Sequence, residues 1–152
     1  MWYNFLHLMR VYLDNCCYNR LFDNQGQLRV RLETEAKLRV QGMMRSGELE
    51  YAWSSVLDYE IGRSPFLGRR SLIVPWRDGA TVNVALDEDL IARGAEIMSL
   101  GVKKMDALHL ACAESAACDW FFTLDRGILK KVQRLGEMRV ANPIEFVLEE
   151  LS

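Results

Sequence analysis

Apolar positions along this chain follow two alternating patterns: short β-branched and aromatic runs, and longer stretches with an apolar residue about every fourth place. Arg10-Val11-Tyr12-Leu13-Asp14 reads as a first strand ending in an acid, followed by an irregular polar stretch over residues 15–25. Residues 27–45 carry Leu28, Leu32, Ala36, Val40 and Met43, which predicts an amphipathic helix with Glu33, Glu35, Lys37 and Arg39 on its solvated faces. Residues 50–53 form a second strand. Ser55 with Asp58 three places on resembles a capping box, so a helix starts there and holds Glu60 in its second turn. Pro65 interrupts it, and a further helical stretch over residues 66–76 is broken by Pro75.

After the Asp78-Gly79 turn, residues 81–84 alternate as a third strand suited to an edge. Asp87, Glu88 and Asp89 sit at a helix start, where negative charge suits the dipole; Leu90, Gly94, Ile97, Met98 and Leu100 form its buried face. The next helix opens at Asp106 and carries Met105, Leu108, His109, Cys112, Ser115 and Ala116 on one stripe, which makes His109 a core residue. It feeds a buried strand over residues 119–124 that ends at Asp125. Residues 127–135 read as a short basic helix and residues 138–140 as a fifth strand. Asn142-Pro143 then caps a last helix.

Alternating strands and helices predict an α/β fold with a mainly parallel sheet covered on both faces. Such a sheet gathers its strand ends on one edge, where ligands bind. Four acids belong there: Asp14, Glu60, Asp106 and Asp125. Crowded carboxylates raise one another's pKa, and hard divalent cations remove the repulsion. Mg²⁺ or Mn²⁺ at such a site activates water and offsets charge on a phosphodiester.

Composition narrows the rest. The chain has 152 residues, half of them hydrophobic, which fits one domain with a sizeable core. No apolar run reaches membrane-spanning length. Residues 1–8 lack a basic region and a cleavage site, and read as an extension or a misplaced start before a domain over 9–152. Cys16, Cys17, Cys112 and Cys118 have no metal-ligand spacing and read as reduced residues of a cytoplasmic protein. A net charge of −2 leaves nucleic-acid binding to a local patch.

VYLDNCCYNRLF, WSSVLDYE, KKMDALHLACA and FFTLDRGILKKV resemble, in order and spacing, the successive motifs of PIN-domain nucleases of the VapC-like toxin type. The resemblance implies a three-layer α/β/α fold with a five-stranded parallel sheet and a Mg²⁺- or Mn²⁺-dependent ribonuclease activity. It makes Asp14, Glu60, Asp106 and Asp125 the catalytic and metal-site acids, with Asn15 and Thr123 supporting them. It further implies a homodimer, an RNA substrate and a small antitoxin partner. Two positions depart from the family pattern. Cys16 stands where many relatives have Asn, and Arg126 stands where some have a further Asp. Phosphate-binding candidates are Lys103, Lys104 and Arg126 beside the acids, then Arg63, Arg69, Arg70, Lys130, Lys131 and Arg134. No aromatic stacking platform is evident, since Trp120, Phe121 and Phe122 read as buried. The rival readings are a degenerate PIN domain that binds RNA or protein, and a phosphoacceptor receiver domain. The receiver reading lacks the acid pair after its first strand and the aspartate after its third.

Overall fold

The computed structural model describes residues 8–19 and 25–151. Most of the N-terminal extension expected over residues 1–8, and part of the polar stretch expected over 15–25, lie outside the described residues. The elements in chain order are β1 (Arg10–Leu13), α1 (Asn15–Asn19), α2 (Leu28–Ser46), β2 (Glu50–Ser54), α3 (Ser55–Gly62), α4 (Leu67–Ile73), α5 (Pro75–Asp78) and β3 (Val82–Val84). They continue with α6 (Glu88–Met98), α7 (Lys104–Ser115), β4 (Trp120–Phe122), α8 (Arg126–Lys131), β5 (Arg134–Leu135), β6 (Met138–Ala141) and α9 (Pro143–Glu150).

The strands form one sheet in the order β3-β2-β1-β4-β6-β5, parallel except for the short β5. Alternation along the strands sorts the core into two faces. Tyr12 and Phe121 stack at 5.3 Å on the side where Tyr12 meets His109 of α7. Trp120 and Phe122 point the other way, onto Phe146 of α9. Helices α2 and α9 pack together, as do α6 and α7, so the sheet lies between two helical layers. From β1 the chain runs outward to β2 and β3. From β4 it runs the opposite way to β6. The central pair β1/β4 is therefore the topological switch point, and its carboxyl end is where a ligand-binding crevice forms.

Among the described residues, six strands replace the expected five. The basic helix ends at Lys131 instead of running to residue 135, and Arg134–Leu135 pairs antiparallel with β6. Gly136, at φ 58°, takes the left-handed conformation that this tight hairpin needs. A two-residue strand is too short to show a period. The start of the expected polar stretch is also helical: Cys17 N donates to Asp14 O at 2.9 Å, and the buried Cys17 and Tyr18 anchor the turn.

Helix α2 is rotated from its expected face. Leu28 and Leu32 are exposed, while Glu33 and Lys37, expected in solvent, are 1% and 2% exposed. Glu33 gains partners the local pattern cannot see, accepting from Asn142 Nδ2 at 2.8 Å and Arg29 Nε at 3.4 Å. At α3 the capping residue is Ser54, whose Oγ accepts from Leu57 N. Ser55 instead accepts from Leu86 N and ties β2 to the segment after β3. Pro75 opens α5 at its first turn rather than simply breaking a helix. On α6, Leu90, Gly94 and Ile97 are buried as expected; Met98 and Leu100 are exposed.

Candidate metal centre

The carboxyl ends of β1 and β4 build the floor of the site. Asp14 follows β1, and its N–H donates to Phe122 O at 3.0 Å, which continues the sheet pairing past the strand. Its side chain is turned inward and is 6% exposed. Thr123, directly after β4, donates from Oγ1 to Asp14 Oδ2 at 2.9 Å. The same hydroxyl oxygen accepts from Asp125 N at 3.1 Å, so Thr123 ties the two strand ends together. The Cys16 thiol donates to Asp14 Oδ2 at 3.5 Å, and its sulfur accepts from Leu124 N at 3.4 Å. The residue standing in the usual Asn place therefore bonds the central carboxylate. Asn15, whose carbonyl and side-chain oxygens accept from Asn19 Nδ2, bonds along its own helix.

Helix α3 brings in Glu60, and α7 brings in Asp106 and His109. Oxygens of Asp14 and Glu60 and a ring nitrogen of His109 lie within 4.8 Å of one another. Asp106, in the first turn of α7, is partly buried, and its carboxyl is pushed up to about 6. Burial is the largest cause, and the negative charges of Asp14 and Asp125 add to it. Burial likewise raises the Asp14 carboxyl; the Thr123 hydrogen bond opposes this, and Glu60 reinforces it. Asp125 is exposed and caps α8 through Gly127 N at 2.7 Å. It shares a cavity of about 170 Å³ with Asp106, Lys103 and Lys131. The sequence-predicted acids thus divide into Asp14 with Glu60 at the floor and Asp106 with Asp125 at the adjoining cavity. Charge coupling between Asp106 and both Asp14 and Glu60 links the two groups.

The donor set suits a hard divalent cation. It is rich in carboxylate oxygen, and two of its acids hold their protons more tightly than usual, chiefly because they are buried and in smaller part because negative charges lie nearby. Lys103, Lys104 and Arg126 stand at the starts of α7 and α8, exposed beside these acids.

Two features escaped the sequence. His109 is buried as expected, yet its Nε2 meets Glu60 Oε1 and its Nδ1 lies 2.6 Å from the Tyr12 hydroxyl. Exposed aromatic rings also occur, on α3 and just before α4. Tyr59 and Phe66 are 52% and 54% exposed, and the guanidinium groups of Arg63 and Arg69 lie over their rings at 5.3 and 4.4 Å. The Arg/aromatic succession from Tyr59 to Arg70 was the available signal, set immediately beside Glu60.

No protein-family model matches the chain, and no curated protein matches it. Solved structures do. FitAcB from Neisseria gonorrhoeae aligns with a TM-score of 0.58 at 16% identity, covering 88% of this chain and 97% of that one. VapBC2 from Rickettsia felis, bound to a DNA fragment from its promoter, aligns with a TM-score of 0.52 at 12% identity, covering 87% and 97%. With a mostly parallel sheet, a switch point at β1/β4 and these neighbours, the chain has a PIN/VapC-like α/β fold.

Proposed function

We propose that this chain is a divalent-cation-dependent endoribonuclease and the toxin of a toxin–antitoxin pair. The observation that carries the reading is the grouping of Asp14, Glu60 and His109 within 4.8 Å at the switch point, with Asp106 coupled to both acids by charge and with Asp14 and Asp106 both raised in pKa. The fold neighbours are toxin–antitoxin complexes, which supports an antitoxin partner. No described helix is long and apolar enough to cross a membrane. Action on RNA in the cytoplasm, as a homodimer, belongs to the same reading.

Asp14 and Asp106 are the residues to hold a Mg²⁺ or Mn²⁺ ion, with Asp125 completing the set. Such an ion supplies a more acidic water and offsets negative charge on the phosphodiester. Glu60 would help to hold the ion through the attacking water, which it would orient and whose proton it would accept. Lys103, Lys104 and Arg126 hold the flanking phosphates as point charges. Hydrolysis leaves a 5′-phosphate and a 3′-hydroxyl.

The test is cleavage of a mixed RNA pool by the purified protein in Mg²⁺, in Mn²⁺ and in EDTA, beside Asp106→Asn. Cutting is expected in either metal and lost in EDTA and in the variant. Absence of both cutting and metal binding would favour a degenerate domain, the reading to which the thiol at Cys16 gives its one specific support.

Tyr59, the sequence neighbour of Glu60, and Phe66 beyond the end of the same helix offer unpaired bases exposed rings to stack on. Stacking is worth about 1–3 kcal/mol per base, so Phe66→Ala is expected to raise KM for single-stranded RNA about tenfold with kcat little changed. Steady-state cleavage of a labelled oligonucleotide reads this; an unchanged KM removes Phe66 from the substrate path.

A further inference from the structure

The nuclease reading leaves a chain of buried polar groups unused. Ser54 Oγ accepts from Leu57 N at 3.2 Å and lies 2.6 Å from the Tyr12 hydroxyl. That hydroxyl lies 2.6 Å from His109 Nδ1, and His109 Nε2 meets Glu60 Oε1. Ser54, Tyr12 and His109 are all fully buried.

We propose that His109 is a positioning residue, which donates its Nε2–H to Glu60 and is fixed in that tautomer by the hydroxyl chain of Tyr12 and Ser54. The inference rests on the reading of Glu60 as a working member of the site.

Donor counting sets the direction of the chain. An ionised carboxylate only accepts, so the proton between His109 and Glu60 is on Nε2. In the neutral ring Nδ1 is then a bare acceptor, and the Tyr12 O–H must donate to it. The Tyr12 oxygen is left to accept, and Ser54 can donate to it because Leu57 N is itself a donor and the Cys112 thiol, which also meets Ser54, can donate as well. Each hydroxyl then gives one bond and takes at least one, and no polar atom in the chain is stranded. The protons all point from the core toward Glu60.

The consequence is mechanical. Glu60 is a long side chain on an eight-residue helix at a half-open site, and it would otherwise lose rotamer freedom each time it engages a ligand. The chain ties its carboxylate to β1 through Tyr12, to β2 through Ser54 and to α7 through His109. Asp106 lies three residues before His109, so one helix positions both Asp106 and, through the imidazole, Glu60. This is the outer support that metal-site carboxylates commonly need, and its loss typically costs about ten- to a hundredfold in metal affinity.

The first test needs no substitution of the site. Long-range ¹⁵N–¹H correlation spectra of the metal-free protein at pH 7.5 are expected to show His109 with a protonated Nε2 and a bare Nδ1. A proton on Nδ1 alone, or on both nitrogens, overturns the proposal. The second test is Mn²⁺ titration by calorimetry, with thermal melts to verify folding. His109→Leu and Tyr12→Phe are each expected to weaken Mn²⁺ binding about tenfold. His109→Gln, whose amide places a donor near the Nε2 position, is expected to keep most of the affinity. Wild-type affinity in His109→Leu overturns the proposal; if that variant does not fold, the spectra and Tyr12→Phe decide. Neither readout uses RNA. A protein that passes both tests yet cuts no RNA keeps the positioning role and loses the nuclease reading. One that cuts RNA but fails both loses only the positioning role.

Discussion

Asp14→Asn is expected to abolish RNA cleavage and to raise the thermal stability of the metal-free protein. The two effects have one cause. Asp14 is the most buried of the four acids, and burial pushes its carboxyl above the usual range despite the bonds from Thr123 and Cys16. The folded chain therefore holds a poorly solvated carboxyl that is costly to ionise beside Glu60 and Asp106, an arrangement that a bound cation stabilises and an empty site does not. Asparagine keeps the shape and still accepts from Thr123, but it removes the charge. For a chain of this length each kcal/mol recovered moves Tm by about 2–4 °C. Melts in EDTA and cleavage assays in Mg²⁺ read the two halves separately. Undiminished cleavage removes Asp14 from the site. Lost cleavage with a lower Tm means that the hydrogen bonds from Thr123 and Cys16 require the ionised form.

The acids were legible because their placement follows from topology. Once strands and helices alternate, Asp14 and Asp125 must share an edge, and Glu60 and Asp106 lie within a turn or two of it. What holds those acids was not legible. His109 falls on the apolar stripe of its helix, and a pattern cannot distinguish an inert core histidine from one that reaches a site. Its partner Tyr12 is 97 positions away and reads simply as a strand residue. The rotation of α2 has the same origin: Glu33 is buried against Asn142, 109 positions on, and local periodicity assigned it to solvent. Cys16 departs from the Asn of the family pattern, yet its thiol makes a contact to Asp14 because α1 begins just after β1. The sixth strand and the first helix were missed because two and five residues are too few to display a period.

Without metal the contribution of the site's acids to stability is expected to fall as pH rises from about 4 to above 6, and added Mg²⁺ to reverse that trend. Asp106 titrates near 6 in the fold against 3.8 as an ordinary carboxyl, so the folded chain binds its proton more tightly than the unfolded chain does. The stability this contributes is complete below 3.8 and is lost as pH passes through about 6. Asp14 acts in the same direction. Other carboxyls oppose them: Arg139 holds the Glu149 carboxyl below its usual value, so that pair loses strength on acidification instead. The raw Tm profile mixes both signs. The difference between wild type and Asp106→Asn isolates the site, and in EDTA it is expected to fall steadily across this interval and then level off. Mg²⁺ binds the ionised acids, so the Tm gain it produces in the wild type should grow over the same interval and be small in Asp106→Asn. Parallel wild-type and variant profiles, with and without the ion, would mean that Asp106 is not coupled to a cation, and the proposed chemistry would lose its centre.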